Sequence, residues 1–251
     1  MRDYANERES RVEFIRGVLR CAGAQGVVYG NSGGKDSALV GILCKIACED
    51  TVGLIMPCGS RRNYGEDRAD AEAVAKQFGI ASRVIYMSGA KEALVGAVGT
   101  HTQLSNNALA NMAPRLRMAA LYAVAASENR LVAGTGNRSE AYMGYFTKWG
   151  DIACDFNPIA DLTVTETYEF LRYLGAPERI ISKAPSAGLS DGQTDEGEMG
   201  VAYRSIDAFL LTGEANERDR DIIDRLHSVS EHKRNMPIVF DPQNFQEAPA
   251  I

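Results

Sequence analysis

The stretch Gln25-Gly26-Val27-Val28-Tyr29-Gly30-Asn31-Ser32-Gly33-Gly34-Lys35-Asp36-Ser37 decides how this chain is read. Its first part, Gln25–Tyr29, is a short apolar run suited to a buried strand. A Gly/Ser loop follows, and beyond it Leu39, Ile42, Leu43 and Ile46 share one helical face. A strand that passes through glycines into a helix can cradle phosphate. Gly33 and Gly34 let backbone N–H groups approach an anion closely, the helix N-terminus adds its dipole, and Ser32 and Ser37 offer hydroxyl donors. The common nucleotide-binding loop has Ser or Thr directly after Gly-Lys, and here Asp36 stands there. A carboxylate beside bound phosphate repels it unless a cation lies between them, so Asp36 reads as a Mg²⁺ ligand. The plainer alternative is a polar turn in which Asp36 caps the helix.

Outward from this loop, Thr51–Met56 reads as a second strand and Asp67–Phe78 as a helix stopped by Gly79. Val84–Met87 reads as a third strand. Ala108–Glu128 is a long helix, with Pro114 making a start or kink near Asn111. Leu131–Ala133 enters a second glycine turn, Gly134-Thr135-Gly136. Strands alternating with helices predict an α/β fold, a parallel sheet covered on both faces. Further on, Thr163–Leu174 is a helix ended by Gly175, and Ala184–Gly200 is a polar, glycine-rich loop of a length usually reserved for function. Helices over Tyr203–Leu211 and Asn216–Lys233 follow, the second with a stripe of Ile222, Leu226 and Val229. Both glycine turns come directly after strands, and ligands of open α/β sheets bind beyond the carboxyl ends of strands. The site is expected between them.

The 251 residues fit one α/β domain over 1–251. A net charge of −6, with acids and bases interspersed, argues against nucleic-acid or membrane partners and leaves room for anionic small molecules. The first nine residues are charged, unlike a signal peptide, and no apolar run is long enough to cross a bilayer. Five cysteines without a paired metal-like spacing suit reduced thiols in the cytoplasm. His101 and His227 carry no motif and read as structural.

Ser32-Gly33-Gly34-Lys35-Asp36-Ser37 resembles the pyrophosphate loop of the ATP pyrophosphatase superfamily. Its members adenylylate a substrate by cleaving ATP between the α- and β-phosphates, and they include NAD, GMP, argininosuccinate and asparagine synthetases and several tRNA-modifying enzymes. Further stretches are similar to the NAD synthetase family in particular. They are Arg115–Met118, Gly134–Glu140, Gly144–Asp151 with Asp155–Pro158, Pro185–Leu189 with Gly192–Glu196, and His232–Arg234, in the family's order.

The resemblance implies a Rossmann-like parallel sheet with helices on both faces, of the adenine nucleotide alpha hydrolase-like type. It implies ATP contacts at Gly30, Asn31, Ser32, Gly33, Gly34, Lys35, Asp36 and Ser37, at Thr135 and at Ser186. Mg²⁺ falls to Asp36 and Glu140, and deamido-NAD to Arg115, Lys148, Asp155, His232 and Lys233. Asp151 resembles the acid near the incoming ammonia, where it can strip a proton from ammonium or orient the amine. The implied activity is ATP-dependent amidation of deamido-NAD by ammonia, in a homodimer. With the phosphate loop about thirty residues from the start, no glutaminase domain is expected. The chain departs from the family at Val164, where a lysine usually touches ATP, and at Ala113 and Pro114. Arg117 reads as a surface charge, and Asp195, Glu196 and Glu198 as solvated loop charges. A thiolation or tRNA-modifying pyrophosphatase is the rival enzyme; it would carry a catalytic cysteine pair or a basic extension, and neither is seen. A nucleotide-sensing module without turnover is the non-enzyme rival.

Overall fold

The computed structural model describes residues 2–183 and 194–240. The run Gly26–Gly30 is indeed a strand, β1, and it lies inside a sheet between two neighbours. In chain order the elements are α1 (Tyr4–Ala22), β1, α2 (Lys35–Ala47), β2 (Thr51–Ile55), α3 (Arg61–Tyr64), α4 (Glu66–Phe78), β3 (Ala81–Val84), α5 (Ser88–Gly99), α6 (Asn106–Glu128) and β4 (Arg130–Ala133). They continue with α7 (Arg138–Met143), α8 (Val164–Tyr173), α9 (Glu178–Ile181), α10 (Asp195–Met199), α11 (Tyr203–Thr212), α12 (Glu217–Val229) and α13 (Glu231–Arg234).

The strands pair in the order β3-β2-β1-β4, all parallel, with Val28 level with Val52 on one side and Val132 on the other. Side chains alternate across a strand, and β1 uses both directions. Val27 and Tyr29 pack with Leu19 of α1, Leu39 and Leu43 of α2, Val74 of α4 and Phe170 of α8. Val28 points the other way, into a cluster with Val52, Leu54 and the α6 residues Ala113 and Ala125. The sheet is therefore buried on both faces, as a parallel sheet must be. The chain winds outward from β1 through β2 to β3, then returns through α6 to β4 on the other side of β1. That reversal opens a crevice at the carboxyl ends of β1 and β4. A third cluster, Met143, Val164, Met199, Val201, Tyr203, Ile206 and Ile223, packs α7, α8, α10, α11 and α12 together.

Several expected elements are corrected. The third strand is Ala81–Val84 and not Val84–Met87. Ala81, Ser82 and Arg83 are exposed, because β3 is an edge strand, whereas the apolar Ile85 and Met87 follow it and cap the sheet by donating to Ile55 O and Pro57 O. The long helix starts at Asn106, with the Ser105 hydroxyl accepting from Ala108 N, so Pro114 lies inside it. Within the expected loop Ala184–Gly200, Asp195–Met199 is helical behind a Thr194 cap. The helix expected over Asn216–Lys233 is two, because the chain breaks at Ser230, whose hydroxyl donates back to Leu226 O at 2.6 Å. Helices α1 and α5 were not anticipated. The apolar residues that the charged α1 buries fully are only Val12, Ile15 and Leu19, and α5 buries no residue at all.

Helix α1 is tied to the segment ahead of α8 by Arg11. Its Nη1 donates to Asp161 Oδ1 at 2.6 Å and its Nη2 to Asp161 Oδ2 at 2.8 Å and Glu7 Oε2 at 2.6 Å. Burial opposes the charge on Asp161, but Arg11 outweighs it and holds this carboxyl below its usual range; Arg2 does the same for Glu166. A depressed carboxyl contributes stability that is complete above the unfolded value of about 4 and lost as pH falls through the lower folded value. Arg11→Met is therefore expected to cost about 1.5–3 kcal/mol at neutral pH. The deficit should shrink in urea titrations below about pH 4, whereas an equal deficit at both pH values would contradict the ionic basis.

Candidate active site

The crevice between β1 and β4 is where the two glycine turns meet. Past β1, Asn31 is buried and shapes the loop: its Nδ2 donates to Ala71 O at 3.1 Å and its Oδ1 accepts from Gly33 N at 3.4 Å. Gly33 has φ +73°, and a Cβ there would lie 2.1 Å from the Asp67 carbonyl oxygen, so only glycine fits. The Ser32 and Ser37 hydroxyls are 3.1 Å apart, and Ser37 donates on to Gly34 O at 3.0 Å. Helix α2 then begins with Lys35 and Asp36.

Past β4, Asn137 caps α7 in a capping box with Glu140: Glu140 N donates to Asn137 Oδ1 at 3.0 Å, and Asn137 N to Glu140 Oε2 at 3.4 Å. Asn137 is fully buried, and its Nδ2 donates to Asp36 Oδ1 at 3.1 Å. One amide thus joins the two turns and sets Asp36 opposite Glu140. Between these carboxylates lies Lys35 Nζ, 2.7 Å from Asp36 Oδ2 and 3.4 Å from Glu140 Oε1. Burial opposes the Lys35 charge, yet Asp36 and Glu140 overcome this and hold its pKa above the usual lysine range. Glu140 is pushed up to about 8, first by burial and then by the charge of Asp36. Asp36 and Glu140, both half-buried, thus face each other across a single ammonium. Among the described residues, no group of three or more His, Cys, Asp or Glu could hold a metal ion by themselves.

This corner opens into a cavity of about 670 Å³. Gly30, Asn31, Ser32, Gly34, Lys35, Asp36, Ser37, Thr135 and Glu140, all expected at the ATP end, line it, and so do Asp151 and Lys233. Asp151 accepts from Thr147 N at 2.8 Å; burial raises its pKa, opposed by that bond and by the charges of Lys233 and Arg117. Lys233 donates to Gly144 O at 2.8 Å and Phe146 O at 2.9 Å. The rest of the expected dinucleotide set is arranged differently. Arg115 donates to Lys148 O at 3.4 Å, and Lys148 Nζ donates to His232 O, so these three form a chain of contacts on the exposed surface beside the cavity. Asp155 instead accepts from Val132 N at 2.7 Å and Tyr122 Oη at 3.3 Å. Ser186 lies outside the described residues.

Three residues read as solvent charges line the cavity. Arg117 lines the cavity, with Nε donating to Met56 O at 3.0 Å and Nη2 to Asn63 Oδ1 at 2.9 Å. Asp195 is buried in the cavity wall, where its Oδ2 accepts from Tyr203 Oη at 3.1 Å. Glu198 also reaches the wall and accepts from Tyr145 Oη at 2.6 Å. A second ammonium stands at the loop: Lys183 Nζ donates to Asp70 Oδ2 at 2.6 Å, Asp67 Oδ1 at 2.7 Å and Gly33 O at 3.3 Å. Val164 is 3% exposed in the third apolar cluster. His227 stacks on the Tyr142 ring with centroids 3.9 Å apart, and its Nδ1 lies 2.9 Å from Tyr142 O.

A parallel sheet wound in both directions from β1, with a glycine phosphate loop and facing carboxylates at its switch point, defines a Rossmann-like α/β protein of the ATP pyrophosphatase type. A family model described as NAD synthase matches residues 7–245. The chain belongs to the NAD synthase family. An NH(3)-dependent NAD(+) synthetase of Carboxydothermus hydrogenoformans is 48% identical over 240 residues, 94% of this chain and 98% of that protein. Among solved structures, the NMN synthetase of Francisella tularensis is 36% identical, covers 96% of this chain and 100% of its own, and superposes with TM-score 0.90. The NH3-dependent NAD synthetase of Campylobacter jejuni is 31% identical over 96% of this chain and 100% of its own, with TM-score 0.77.

Asn137→Ala removes both the cap and the donor to Asp36. It is expected to lower stability by about 1–2 kcal/mol and ATP-dependent turnover by about tenfold or more, the loss of a hydrogen bond to a charged group. Asn137→Asp keeps a cap acceptor but faces Asp36 with another carboxylate, so stability and turnover should part in that variant. Undiminished turnover in both would show that Asp36 needs no such support.

Proposed function

We propose that the chain amidates the nicotinate carboxylate of deamido-NAD with ammonia, at the expense of ATP, giving NAD, AMP and pyrophosphate. The observation that carries this reading is the pair of carboxylates, Asp36 and Glu140, held against a phosphate loop in a member of the NAD synthase family. In the first step a carboxylate oxygen attacks the α-phosphorus, the bond to the β-phosphate breaks, and pyrophosphate leaves. Ammonia then attacks the acyl carbon and expels AMP, with one proton released. Loop N–H groups and the α2 N-terminus face the leaving pyrophosphate. Asp151, on the cavity wall and held by Thr147 N, is the acceptor for the proton of the incoming amine.

The donor set suits Mg²⁺: two carboxylates from protein, with phosphate oxygens and water completing the shell. Asp36 and Glu140 would hold the ion, which neutralises charge on the phosphates when bound. The surface chain of Arg115, Lys148 and His232 gives cations to a ligand that extends beyond the cavity, and a second copy packed there completes a homodimeric site. Helix α6, rich in alanine, is the candidate interface. The fold likeness to an NMN synthetase favours a second reading, in which the mononucleotide is the amide acceptor. Both readings share the carboxylate chemistry, and competition between the two acids at equal concentration separates them.

With ATP, deamido-NAD and ammonium, the protein should form AMP, pyrophosphate and NAD in equal amounts; ADP with phosphate would refute the assignment. At subsaturating ammonium the rate should rise from neutral to mildly alkaline pH as free ammonia increases, and glutamine should support little turnover. Asp36→Ala should nearly abolish pyrophosphate release while the protein stays folded by circular dichroism, and a fully active variant would refute the metal role.

A further inference from the structure

The cation seat is already filled from within the chain. Lys35 Nζ lies between Asp36 Oδ2 and Glu140 Oε1, at 2.7 and 3.4 Å, and the residue is only 7% exposed. The Tyr203 ring stands 5.7 Å from the same ammonium, and Asn137 occupies the remaining Asp36 oxygen. A hydrated divalent ion and an ammonium group cannot share the space between two carboxylates, because like charges at contact distance repel strongly in a partly desolvated site. Lys35 has another place to go. It is the first residue of α2, at the helix end whose N–H groups face the phosphates, and its side chain is a flexible four-carbon stem. The neighbouring ammonium of Lys183 also lines the cavity but is not interchangeable with it, since Asp67, Asp70 and the Gly33 carbonyl already hold that group.

We infer that Lys35 is a built-in counter-ion: in the nucleotide-free chain its ammonium takes the place of the divalent cation between Asp36 and Glu140, and it moves onto the phosphates when metal and ATP arrive together. The inference rests on the proposed Mg²⁺ seat. It makes metal and nucleotide enter jointly. Metal alone must displace an ammonium that has gained nothing in return, whereas metal with ATP offers that ammonium an anion.

The test is Mn²⁺ binding to the full chain, read from the free-ion electron paramagnetic resonance signal, with and without a non-hydrolysable ATP analogue. Nucleotide-free Lys35→Met should bind Mn²⁺ at least about tenfold more tightly than wild type, the factor that corresponds to 1.4 kcal/mol. With Mn²⁺ present, the same variant should bind the analogue about tenfold more weakly. A residue serving only to hold the fold together would not move the two affinities in opposite directions. Removing the ammonium leaves two carboxylates unpaired, so Lys35→Gln, which keeps donors of similar reach, is measured alongside. Recovery of a poorly folded Lys35→Met protein by Mn²⁺ would also support the exchange. Unchanged nucleotide-free Mn²⁺ affinity in folded Lys35→Met and Lys35→Gln would overturn it. Asp36→Asn separates this from failure of the metal seat itself: if that variant binds Mn²⁺ with the analogue as well as wild type does, the seat is wrong. If it loses binding while the Lys35 variants gain nothing, only the counter-ion role falls.

Discussion

Two carboxylates held close together in a partly desolvated corner are unfavourable unless positive charge lies between them, and the site is built around that constraint. Asp36 and Glu140 come from separate glycine turns, each at the carboxyl end of a strand, and β1 and β4 are neighbours only because the chain reverses its winding there. The buried Asn137 amide accepts from one turn and donates to the other. Burial, and after it the charge of Asp36, push Glu140 up to about 8, and Lys35 is the positive charge that the chain itself supplies. Phosphate beside such a pair is unfavourable unless further positive charge accompanies it.

The sheet makes this corner rigid. Val27 and Tyr29 anchor β1 in one apolar cluster and Val28 in the other, so the strand that carries the phosphate loop is fixed from both faces. Helices α7, α8, α10, α11 and α12 form a further cluster against the Glu140 side, bringing Asp195 to the cavity wall with Tyr203 donating to it. By contrast, Arg115, Lys148 and His232 contact one another on open surface. Among the described residues, those assigned to ATP thus line one cavity of a single chain, whereas Arg115, Lys148 and His232 lie on its surface.

Much of this was legible in the sequence because it rests on local chemistry. Glycines required by backbone approach, a carboxylate where a hydroxyl is usual, and the order of the later motifs located the loop, the crevice and the family. What stayed hidden depends on burial, which a single sequence does not state. Arg117 looks like any helix arginine until Met56 O and Asn63 are seen to hold it against the cavity. Asp195 sits among acids and glycines that read as solvated, yet it is buried beside Tyr203. Helix α1 hides three buried apolar residues in a charged run, and β3 is exposed enough that the apolar residues after it drew the strand boundary forward. The capping role of Asn137 was implicit in Asn137-Arg138-Ser139-Glu140, since Asn followed three residues later by Glu is a helix-start signal. Its bond across to Asp36 was not, because that joins residues 101 apart.

The central claim is that this corner directs a substrate carboxylate onto the α-phosphorus of ATP. Deamido-NAD labelled with ¹⁸O in its nicotinate carboxylate, turned over with ATP and ammonium, tests it directly by mass spectrometry of the products. An acyl adenylate requires one labelled oxygen to leave in AMP, with none in pyrophosphate. Label in inorganic phosphate or pyrophosphate, or AMP without label, would contradict the account.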